Sequence, residues 1–202
     1  MNSKKGGKQL KRFIVLLISI LVIAVLNACS SKTSLDLTDK EVSIIKDKEK
    51  TGAMTLQQGK QAGKEVVATS LYYTFSIKNK GSKKIGRAIP SEPSEALKVK
   101  IEPNKKLLTV SKEVMGFNIF NPTEYNNSGL GYGHSFDGVI EPNSEGKFII
   151  YYELGINEET KEVFHTPPKE QLEKLRDNAL DATLIVLSGN EEIARFDLSK
   201  KE

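Results

Sequence analysis

The chain has 202 residues, with 30 basic and 26 acidic side chains, a single cysteine and no tryptophan. Its formal charge of +4 sits at the amino end: residues 1–29 hold five basic and no acidic residues, leaving 25 against 26 beyond them. That balance gives no argument for nucleic-acid binding, and with no cysteine after Cys29 no disulfide can brace a fold.

The basic start consists of Lys4, Lys5, Lys8, Lys11 and Arg12. Residues 13–26 then form a run of fourteen, all apolar except Ser19. This is signal-peptide length and falls short of the roughly 20 residues that span a bilayer. The run ends in Leu26-Asn27-Ala28-Cys29. It resembles the lipobox of bacterial lipoproteins, with a leucine three places before the cysteine and a small residue just ahead of it. The resemblance implies loss of residues 1–28 as a signal peptide and a diacylglyceryl thioether on Cys29. It also implies residence at the cell membrane, lipid-anchored, on the extracytoplasmic face, with the membrane as a partner through that lipid.

Residues 29–64 are rich in Lys, Glu, Gln and Gly and lack aromatics, so they are predicted to be a flexible tether behind the lipidated cysteine. Glu41-Val42-Ser43-Ile44-Ile45 is the exception, a short strand or docking segment. The folded domain is predicted over 65–202. Leu71, Tyr73, Phe75 and Ile77 alternate with polar partners, the signature of a strand with one buried face. Residues 79–84 carry turn chemistry. Leu97, Val99 and Ile101 mark a second strand, residues 107–110 a third and residues 136–140 a further one. Residues 147–154 are almost continuously apolar and predict a central strand, while 182–188 and 192–198 flank Gly189-Asn190 as a hairpin. One short helix is predicted after Pro167-Pro168, from the spacing of Leu172, Leu175 and Ala179.

The stretch YYTFSIKNKGSKKIG, followed later by IEPNSEGKFIIYYEL and a closing hairpin, resembles the small immunoglobulin-like domains of unknown function carried by many bacterial lipoproteins. The fold class so implied is mainly β, an antiparallel β-sandwich with one short helix. The resemblance brings no catalytic residues, and the antibody-type cysteines and core tryptophan are missing.

Chemistry is sparse. No serine lies in a G-x-S-x-G motif, and His165, in VFHTPP, is read as an ordinary surface-loop histidine. No spacing of His, Cys and carboxylates suits a metal, and Gly129, Gly131 and Gly133 do not match a dinucleotide fingerprint. The expectation is a non-enzyme without cofactor, metal or catalytic residues. Residues 113–146 are set apart by five acidic and no basic side chains. Within them Tyr125, Tyr132 and His134 are candidate partner contacts, because tyrosines in a Gly-rich loop offer flat apolar area and its asparagine amides adaptable hydrogen bonds. Residues 122–135 are either such a binding tip or a passive connection. Residues 78–106 have the opposite bias, nine basic against three acidic, either a solvated face or a contact for anionic lipid or polymer. The function so predicted is a non-catalytic binding or interaction module of the cell envelope, whose partner is an envelope protein or polymer. A solute-binding lipoprotein is the alternative, followed by a carboxylate-based envelope hydrolase.

Overall fold

The computed structural model describes residues 34–87, 97–125 and 128–200. Cys29 and the apolar segment before it lie outside these residues. Strand β1 (Leu35–Ile45) opens the fold and is followed by a one-turn helix α1 (Lys48–Thr51). The two-residue strands β2 (Met54–Thr55) and β3 (Glu65–Val66) come next, with a 3-10 turn at Gly59–Gln61 between them. Then come β4 (Thr69–Asn79), β5 (Ile85–Gly86), β6 (Leu97–Pro103) and α2 (Lys105–Met115). The second half holds α3 (Pro122–Tyr125), β7 (Tyr132–Phe136), β8 (Val139–Ile140), β9 (Glu145–Gly155), α4 (Lys169–Asn178), β10 (Ala182–Ser188) and β11 (Glu191–Asp197).

The molecule is mainly β and its sheets are antiparallel. A four-stranded sheet runs β1-β4-β9-β7, a three-stranded sheet runs β11-β10-β6, and β2-β3 and β5-β8 form two small ribbons. The predicted central strand is β9, flanked by β4 and β7. Leu71, Tyr73, Phe75 and Ile77 of β4 all face inward, as their alternation requires. Opposite them on β9 stand Tyr152, Ile150, Phe148 and Gly146. This inner face shares one core with Leu184 and Val186 of β10, Leu97 and Ile101 of β6, and Leu107, Val110 and Val114 of α2. Burying each such side chain stabilises the fold by about 1.5–3 kcal/mol. The Tyr73 hydroxyl donates to the Ala179 carbonyl at 3.1 Å, tying the sheet to the end of α4.

Two expectations are corrected. The tether predicted over 29–64 is ordered structure from Leu35 onward, because β1 pairs along its whole length with β4. A bulge between Leu37 and Asp39 explains why period two did not reveal it. Leu35 and Leu37 face the core side before the bulge, and Lys40, Val42 and Ile44 after it, so the inward parity flips within one strand. The strand predicted at 107–110 is instead the first half of α2. Asn104 caps that helix by accepting the Leu107 N–H at 3.0 Å, and Gly116 closes it in the left-handed conformation. Buried Leu107, Val110, Ser111, Val114 and Met115 recur at helical spacing. A four-residue window is too short to separate that period from a strand. The expected single helix, α4, therefore has a companion of similar length.

Candidate functional site

Strand β7 ends one large sheet and β6 ends the other, so among the described residues neither has a strand on its far side. Between these two edges lies a cavity of about 270 Å³. Its floor is Ile150 and Tyr152 of β9. Register places Tyr132 opposite Tyr152 and His134 opposite Ile150, so both β7 side chains stand on the cavity's face of the sheet. Val99 and Ile101 of β6 form the facing wall, with Lys100 at the rim.

The third wall is the segment between α2 and β7, and it is stapled internally. Ser111 Oγ accepts from the Ile119 N–H at 3.1 Å and donates to the Phe117 carbonyl at 3.2 Å. The Glu124 carboxylate accepts from the Asn118 N–H and from Asn121 Nδ2, each at 2.9 Å. The bond from the Asn118 amide, foremost, holds the Glu124 carboxyl below its usual range. Phe120 is thereby held edge-on to Tyr152, with ring centres 5.1 Å apart.

Tyr125 sits deeper. It is 1% exposed, and its hydroxyl lies 2.7 Å from the Gly131 carbonyl and 2.6 Å from the Glu153 carbonyl. Its ring meets Tyr132 at 5.9 Å and Tyr152 at 6.2 Å, both edge-on. Burial pushes the phenols of Tyr125 and Tyr152 well above their ordinary value, so both remain neutral hydrogen-bond donors at physiological pH. The Glu153 carboxyl is also raised by burial, while its Oε2 accepts the Gly131 N–H at 2.6 Å.

The structure thus brings all three predicted contact residues to one cavity, but in unequal roles. Tyr132 is 51% exposed, one of two large apolar side chains left in solvent among the described residues, and His134 is exposed beside it. Tyr125 belongs to the core and offers only its ring to the cavity. The stretch from Gly129 to Gly133, expected as a loop, instead enters β7 at Tyr132. A Cβ at Gly133 would lie 2.5 Å from the tip of the Tyr151 ring directly across the ladder, so the glycine lets that ring lie over the strand. Phe120 and Tyr152 were missed as site residues. The parity of Tyr152 with Phe148 and Ile150 was visible, but which face would meet a second sheet was not.

A broader hollow of about 780 Å³ lies between the Gly59–Gln61 turn and residues 159–162, lined by polar side chains such as Gln58, Lys60 and Lys161. It gathers no aromatic or convergent polar groups, so it does not define a site. Among the described residues no three His, Cys, Asp or Glu side chains could jointly hold a metal ion, and no helix is long and apolar enough to cross a membrane. No protein-family model matches the chain, and no curated protein or solved structure is significantly similar to it.

Proposed function

We propose that the mature protein is a membrane-anchored extracytoplasmic lipoprotein whose globular part is a non-catalytic binding module, taking an apolar side chain of an extended partner polypeptide between β7 and β6. One observation carries this reading: an aromatic-walled cavity opens beside a β7 edge that has no neighbouring strand among the described residues. An extended segment laid along such an edge gains main-chain hydrogen bonds, and alternate side chains enter pockets beneath it. A volume of about 270 Å³ suits one aromatic or branched side chain, below the roughly 300–1,000 Å³ that enclose whole small ligands. Tyr132, half in solvent, and the walls made by Phe120 and Tyr152 supply stacking surface. We propose further that the domain is an immunoglobulin-like β-sandwich. Two antiparallel sheets sharing one core support it, and α2 and α4 are additions to the plain architecture.

The test is a titration with a blocked pentapeptide, Thr-Val-Phe-Val-Thr, followed by amide and aromatic NMR shifts. Shifts should concentrate at Tyr132, His134, Tyr152 and Val99, and vanish in the variant carrying Tyr132→Ala and His134→Ala. That variant should remain folded, with a loss of about 1–3 kcal/mol from the missing ring contacts of Tyr132 with Tyr125 and Tyr152. Shifts elsewhere, or shifts indifferent to the two substitutions, would refute the assignment.

A further inference from the structure

Register fixes which end of the four-stranded sheet lies beside the start of β1. Leu35 pairs with Asn79, so the β4–β5 turn, residues 80–84, stands beside the first residues of β1. Five residues separate Cys29 from Leu35, a span of at most about 20 Å even fully extended. The turn is held firmly. Buried Asn79 donates through Nδ2 to the Lys83 carbonyl at 2.7 Å and the Ile140 carbonyl at 3.1 Å, and its Oδ1 accepts from the Gly81 N–H at 2.9 Å. The Lys80 N–H donates to the Ser34 carbonyl at 2.7 Å.

Lys80, Lys83 and Lys84 are exposed on this turn. Of the nearby acids, Asp36 pairs with Lys80, Glu145 accepts from the Thr38 hydroxyl at 2.8 Å, and Glu141 lies on the adjoining β8–β9 turn. Arg87 follows β5 beside Gly138 and Asp137 across the β5–β8 ribbon, so the basic excess of this end is carried by the exposed Lys83 and Lys84. Resting on the lipid-anchor reading, we infer that this turn lies against anionic phospholipid headgroups and stands the domain upright. The cavity then faces away from the bilayer. Tyr132 is level with Leu71, eight residues along β4 from Asn79, or about 27 Å at the rise of a strand.

The test uses the full-length protein, expressed with its signal, purified and reconstituted into vesicles. A fluorophore is attached at Ser82→Cys on the turn or at Gln58→Cys on the far end, and quenched by headgroup-nitroxide lipid. With phosphatidylglycerol present, quenching should be strong at 82 and weak at 58. It should fall roughly threefold or more for Ser82→Cys when Lys83→Gln and Lys84→Gln are added, in 0.5 M salt, or in pure phosphatidylcholine, as expected for charges near an anionic surface. Vesicle flotation with equal quenching at both positions, or quenching indifferent to the lysines, would overturn this inference and leave the anchor intact. Failure of every version to float, with a free thiol at Cys29 by mass, would overturn the anchor and this inference together.

Discussion

Tyr125 has a hydroxyl with two carbonyls in reach and one proton to share between them. Its cost of removal should therefore exceed that of a surface phenol. Tyr125→Phe is expected to destabilise by about 1–2 kcal/mol, since one shared donor is lost from a buried place while the Gly131 carbonyl still accepts the Glu153 N–H at 3.0 Å. Tyr125→Ala should cost about 3–5 kcal/mol by opening a void. Urea unfolding measures both, and losses below half a unit would place Tyr125 outside the core. The carboxylates nearby act in opposite senses. Glu124 has a folded pKa below its ordinary 4.5, so its contribution is complete above that value and is lost as pH falls through the lowered one. Glu153 has a folded pKa above 4.5, so its contribution is present below 4.5 and lost as pH rises through the raised value. Glu153→Gln removes the buried charge and keeps an acceptor for the Gly131 N–H. It should flatten the decline in melting temperature as pH rises above 4.5, while Glu124→Gln flattens the acid limb below 4.5. Melting curves on either side of that pH distinguish the two.

Among the elements, α2 is the one whose existence depends most on its ends. Residues 107–110 alone would equally suit a short strand, and the Asn104 cap, the Gly116 terminus and the recurrence at Val114 and Met115 decide for the helix. Asn104→Ala should cost about 1 kcal/mol, read as a lower denaturation midpoint at unchanged slope. Because Ser111 of the same helix holds residues 117 and 119, part of that loss should reach the cavity wall. The β7 edge works by a different device. Tyr151 lies across Gly133, a cross-strand aromatic covering a glycine, which pins the register of a five-residue strand with few other anchors. That register is what aims Tyr132 and His134 at the cavity instead of the opposite face.

For the whole molecule, β1 is the deciding strand. It covers the otherwise open edge of β4 and contributes Leu37, Val42 and Ile44 to the core. A chain starting at residue 46 would expose the long, apolar edge of β4, and is expected to be recovered aggregated or unfolded. A chain starting at residue 34 should fold. Gel filtration and circular dichroism of the two versions settle the point. The same strand shortens the spacer behind Cys29 from a coil of some thirty residues to five.

The alternation at 71–77, the continuous apolar run at 147–154 and the Gly189 hairpin were legible because each is a local pattern dictated by the two-residue period of a strand. The cluster of Tyr125, Tyr132 and His134 was legible as composition, and its members do share one cavity. The bulged parity of β1, the helical fate of residues 107–110 and the burial of Tyr125 depended on partners far along the chain. So did the apposition of β7 and β6, because which faces meet is decided by packing between sheets, and no single stretch of sequence encodes it.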